Sequence, residues 1–148
     1  MKNSRILILI LILVLIIFGF LAFQNQSVKK LVIGDEQFSV PSQYQEEYLS
    51  NNLVKISSGD NVYFITEKSS SDVKIFVNKY VKHKKLADNQ SVNIYYIDNG
   101  NFDIYKSVVS ENSSVIHYWF VKNGKGYEIY TGTADSNSDD FILDIINS

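Results

Sequence analysis

His83 and His117 are the two histidines of a 148-residue chain that contains no cysteine. A histidine acting as a general base needs a nucleophile or an orienting partner within hydrogen-bond reach. His83 stands among lysines and His117 within the apolar run Val115 to Val121. Neither lies in a Gly-x-Ser-x-Gly, His-Glu-x-x-His, Ser-x-x-Lys or phosphate-loop pattern that would supply such a partner. His83 therefore reads as part of a solvated helix end and His117 as a strand-packing residue, and no catalytic residue is assigned. Carboxylates are the other acid–base groups available. Asp98, Asp103 and Glu128 would serve a hydrolase, but sequence does not pair them.

The segment from Asp135 to Asp140 puts acidic or amide residues at the first, third and fifth positions of a calcium loop. The sixth position, which needs glycine for the sharp turn, is Asp140, and the twelfth, which needs a bidentate glutamate, is Ile146. Anionic side chains opening a helix account for the same residues. No metal ligand and no cofactor site is assigned. The absence of cysteine excludes disulfides, thiol catalysis and Cys-ligated zinc.

Two surfaces are candidates for binding. Tyr95, Tyr105, Tyr118, Tyr127 and Tyr130 would make an aromatic partner platform if exposed, and ordinary core if not. Lys79, Lys82, Lys84 and Lys85 would touch anionic lipid or a cell-envelope polymer, or simply solvate a helix face. All 16 acidic residues and all but two of the 14 basic ones follow Phe23, so that part is acidic. This excludes a basic nucleic-acid binder.

The elements that must position these residues fall into two parts. Ile6 to Phe23 carries no charge and no hydrogen-bonding side chain. Its 18 residues would span about 27 Å as a helix, close to a bilayer core. Cleavage after Ala22 would put Phe20 where a signal peptidase needs a small residue, so the run reads as an uncleaved transmembrane signal anchor. Residues 1–5 form a cytoplasmic tail, 6–23 the anchor, 24–28 a spacer, and 29–148 a single extracytoplasmic domain. That orientation rests on Lys2, Arg5 and the short tail.

In the domain, Gly34-Asp35, Ser58 to Asn61, Asp98 to Asn101 and Asn123-Gly124 separate β-branched and aromatic runs, the pattern of hairpins. Val73, Phe76, Val77, Tyr80 and Val81 stripe a helix over Ser71 to Leu86, although Val73, Ile75 and Val77 also alternate as a strand would. Phe141, Ile142, Ile145 and Ile146 stripe a second, terminal helix. Val115 to Val121 is apolar or aromatic on both faces, which predicts a central strand buried on both sides. The expected class is α+β, an antiparallel sheet of hairpins with about two packed helices behind one transmembrane helix.

Phe38-Ser39-Val40-Pro41, the central helix, the late hairpins and the closing Asp144 to Ser148 resemble PsbP-like α/β sandwich domains. They are also similar to small membrane-anchored ectodomains of AT-rich archaea and bacteria. The resemblance spans Lys29 to Ser148 and is one of architecture, with no motif that transfers a role residue by residue. It implies a binding or assembly domain more readily than an enzyme. The expected function is a non-catalytic binding or accessory domain held at the membrane, with a protein or envelope-polymer partner. The alternatives are an envelope hydrolase using carboxylates, and an adhesion ectodomain that assembles with itself.

Overall fold

Turn chemistry sets the strand register. Asn123 and Gly124 adopt φ of 49° and 77°, the left-handed pair that a two-residue hairpin turn requires. They join β8 (Ile116–Lys122) to β9 (Lys125–Thr131), with Lys122 opposite Lys125. The other expected turns likewise join β1 (Val28–Ile33) to β2 (Glu36–Pro41), β4 (Leu53–Ser58) to β5 (Asn61–Glu67), and β6 (Val92–Asp98) to β7 (Asp103–Val109). The computed structural model describes residues 12, 14, 27–98, 100–109, 115–132 and 138–148.

One strand was not anticipated. Gln45–Ser50 forms β3, which pairs with β4 and carries six exposed residues. Seven strands make one antiparallel sheet in the order β3-β4-β5-β9-β8-β7-β6, and β1-β2 forms a separate hairpin. The sheet is two meanders joined at β5 and β9, where Phe64 faces Tyr130 and Ile65 faces Ile129.

The expected α+β class is corrected by this content. Nine strands and two helices, α1 (Val73–Ala87) and α2 (Ser138–Asn147), make up the described residues, which are predominantly antiparallel β. Two well-marked helical stripes drew the expectation, while β3 offered no apolar alternation to weigh against them. The expected transmembrane helix falls outside the described residues apart from Ile12 and Val14. Among the described residues, no helix is long and apolar enough to cross a membrane.

The sheet is covered on both faces. On one, the β1-β2 hairpin and α2 seal a core that includes Leu31, Phe38, Ile56, Phe120, Tyr127 and Ile145. Lys122 is buried at its margin, with Nζ 4.8 Å from the Phe38 ring centre and donating to the Ile146 carbonyl at 3.4 Å. A cation there complements the negative end of α2. Burial holds the Lys122 pKa below the ordinary lysine value, and the nearby Glu36 carboxylate offsets only part of that shift.

On the other face α1 lays Val73 and Val77 against Trp119, with Phe76 and Tyr80 beside them. β8 therefore lies between two cores, which is why both of its faces are apolar. Its neighbour β9 makes room for the chain entering α1. A Cβ on Gly126 would meet the Ser70 carbonyl oxygen at 2.2 Å, so only glycine permits this backbone approach.

Every buried apolar side chain of the two cores lies between Leu31 and Ile146. A chain starting at Ser27 is therefore expected to fold alone and unfold cooperatively in denaturant. Aggregation with no cooperative transition would refute this independence.

Candidate functional site

A polar cluster on the α1 side of the sheet centres on Glu128 of β9. The β8–β9 register puts Trp119 opposite Glu128 and His117 opposite Tyr130. His117 and Glu128 are thus diagonal neighbours on one face, within reach of each other. His117 Nδ1 lies 2.6 Å from Glu128 Oε1, and Lys68 Nζ donates to Oε2 at 2.8 Å. Lys68 is held beside β9 by its own main chain, whose N–H donates to the Gly126 carbonyl at 2.8 Å.

Aromatic rings enclose this cluster. The His117 ring stacks nearly parallel to Trp119 at 5.2 Å and against Tyr130 at 5.4 Å, and Tyr130 stacks on Phe64 at 4.8 Å. Tyr80 of α1 covers His117 at 4.4 Å. Above them lies a shallow recess of about 380 Å³ that Lys68, Phe76, Lys79, His83, Trp119 and Glu128 help to line. Burial pushes the Glu128 carboxyl up, but hydrogen bonds from His117 and Lys68 outweigh it and hold the pKa below the ordinary value.

A histidine oriented by a carboxylate is half of a nucleophilic relay. The other half is a hydroxyl within reach of the free ring nitrogen. The adjacent Ser107 is fully buried, and its Oγ accepts from the His117 main-chain N–H at 3.1 Å instead. The cluster acts as a half-buried strut that ties the loop after β5 to the sheet through Lys68 and Glu128. Its His117–Glu128 contact was accessible to sequence reasoning, since a two-residue turn at Asn123-Gly124 already fixes that diagonal. Lys68 and Tyr80 carried no such signal.

No family model and no curated protein matches this chain.

The other carboxylates are separately committed. Asp98 Oδ1 accepts the Gly100 N–H at 2.8 Å within its hairpin turn, and Asp103 accepts the Tyr96 hydroxyl. That bond is the main cause pushing the Tyr96 pKa up to about 12. In the half calcium loop, Asp135 to Asn137 lie outside the described residues, and Ser138 to Asp140 form the first turn of α2. Asp139 binds Lys106 at 2.6 and 2.7 Å and accepts from Tyr118, tying α2 to the sheet. Asp72 occupies the cap position of α1 without a side-chain capping bond.

The five tyrosines do not form one surface. Tyr118 and Tyr127 are fully buried, Tyr105 and Tyr130 half-buried, and Tyr95 exposed. Tyr95 faces the same side as Lys106, opposite to Tyr105. Their identities carry no sign of which face each strand position occupies. Among the lysines, Lys84 is paired with Asp88 at 2.8 Å, Lys79 borders the recess, Lys85 borders β6, and Lys82 is exposed.

The two edges of the sheet differ sharply. At β3, Glu46 pairs with Lys29, Glu47 pairs with Lys55, and the register shifts between Tyr48 and Ser50. Charges and a bulge of this kind protect an edge from further pairing. The β6 edge carries no charge before Asp98, runs in unbroken register with β7, and exposes Tyr95 and Tyr96 at 51% and 55%. Among the described residues it is the unguarded edge of the sheet.

Glu128 and Asp139 predict acid sensitivity. Burial raises both, yet their hydrogen-bond and ionic partners leave both carboxyls below their ordinary values of 4.5 and 3.8. Such groups contribute stability that is complete above the unfolded pKa and lost as pH falls through the folded one. Unfolding midpoints are expected to be flat above about pH 5 and to fall below about pH 4. A midpoint unchanged at about pH 3 would contradict the assignment.

Proposed function

We propose that this protein is a non-catalytic binding domain attached to a membrane by the Ile6–Phe23 run and displayed outside the cell. The contrast between the two sheet edges carries this reading. β3 is guarded by Glu46, Glu47 and a bulge, whereas among the described residues no strand pairs with the outer edge of β6, which exposes two tyrosines. Folds blunt edges that must stay unpaired, so an open seven-residue edge is suited to receive a partner. The location rests on the uncharged apolar run and on Lys2 and Arg5 before it.

Both halves of the proposal can be tested in the same cells. Protease added outside intact cells is expected to remove an epitope placed after Ser148; a protected epitope would reverse the orientation. A photoreactive residue replacing Tyr95 should cross-link to another envelope protein, and one replacing Tyr48 on β3 should not. Equal cross-linking from both edges, or none from either, would overturn the edge assignment.

A further inference from the structure

Beside the β6 edge runs a groove of about 430 Å³ whose walls include Val77 and Val81 of α1, Val92 and Ile94 of β6, and Tyr105 of β7. Lys74 lies over the Tyr105 ring at 5.9 Å, and Tyr105 is opposite Tyr96. At the other end Lys85 and Val81 border a smaller hollow with Val92. Helix α1 thus runs antiparallel to β6, with Lys85 at the level of Val92 and Lys74 at the level of Tyr96. These two lysines bracket an apolar floor.

The lengths agree. Eleven helical positions from Lys74 to Lys85 span about 16 Å, and four strand positions from Val92 to Tyr96 span about 14 Å. A strand added alongside β6 would alternate its side chains, so residues i, i+2 and i+4 would all face α1. The first and last would reach the lysines, and the middle one would lie over Val77, Val81 and Ile94. Helix α1 carries Lys74, Lys79, Lys82, Lys84 and Lys85 and no acidic residue, so the complementary charge is negative.

We infer that β6 accepts, as an eighth strand, an extended peptide segment of a partner protein with acidic residues at i and i+4 and an apolar residue at i+2. This rests on the binding-domain reading above and adds the partner's chemistry. A second copy of this chain fits less well. Pairing β6 with β6 about a two-fold axis would set two lysine-rich helices side by side on the same sheet face, which is repulsive. The chain's own β3 presents Gln45 and Glu47, opposite Ser57 and Lys55, on its α1-facing side, one acid rather than two at the required spacing.

The test uses the full chain in detergent micelles and three synthetic seven-residue probes. One has glutamates at i and i+4 around a valine, one has lysines at those positions, and one is the acidic probe N-methylated along one edge. Fluorescence anisotropy gives affinity, and hydrogen exchange locates protection. The acidic probe is expected to bind at least about ten-fold more tightly than the basic one. It should protect β6 amides and lose binding on N-methylation. Lys74→Glu with Lys85→Glu, both solvent-facing exchanges, should invert the charge preference. Equal binding of acidic and basic probes at β6 would overturn the inferred chemistry while leaving the edge as the docking site. Absence of β6 protection by any probe would overturn the edge reading itself. Protection that rises with protein concentration without a probe would identify a second copy as the occupant, and the peptide inference would fall.

Discussion

Trp119→Ala is expected to destabilise the domain by about 3–5 kcal/mol, the usual cost of emptying a large aromatic site. Trp119 is 1% exposed, and among the described residues its core has two other buried members, Val73 and Val77. Its loss removes the floor on which α1 rests, and Val73 and Val77 cannot refill the space without shifting the helix. The damage should therefore be local as well as global. Denaturant unfolding of the domain is expected to show the lost stability, and amide exchange should accelerate in α1 before it does so in β4 and β5. A loss under about 1 kcal/mol, with α1 still protected, would mean that the helix is held by something other than this core.

Glu128→Ala is expected to cost about 3 kcal/mol, by stranding charged and polar groups rather than by opening a cavity. Lys68 and His117 both point at this carboxylate, which is only 10% exposed. Lys68 retains some access to water and can turn outward, so the cost falls at the lower end of the range for broken buried pairs. The double variant Glu128→Leu with Lys68→Met removes both charges and should recover much of the loss. If the double variant is as unstable as the sum of the two single ones, the pair is not coupled and the strut reading fails.

These predictions concern contacts that the sequence discloses unequally. The hairpins were readable because Gly34, Gly59, Gly100, Asn123 and Gly124 sit at positive φ, where few other residues are comfortable. Helix α1 was readable from its 3.6-residue stripe, and it runs within a residue or two of the expected span. β3 was not, because Gln45 to Ser50 buries nothing and an exposed edge strand has no apolar period to betray it. The aromatic platform failed for a related reason. Tyrosine serves core and surface alike, and only the sheet order reveals that Tyr118 and Tyr127 lie beneath α2 and the first hairpin while Tyr95 lies on an edge. Lys68 was invisible because its partner is 60 positions away, reached through a β5–β9 pairing that no local pattern encodes.

The contact between β2 and α2 governs the order in which the molecule can be made. The Ser39 main-chain N–H donates to the Ser148 hydroxyl at 2.7 Å across 109 positions of chain, and Ile142, Ile145 and Ile146 are buried in the core that Phe38 and Val40 share. A ribosome that has synthesised every strand has not yet supplied that cover. Until α2 emerges, the β1-β2 hairpin covers only part of the apolar face of the nascent sheet, and the remainder is the kind of surface that chaperones hold and that aggregates when they do not. Maturation therefore waits on translation of α2, and a transcript truncated before Ser138 yields a substrate for quality control rather than a smaller working domain.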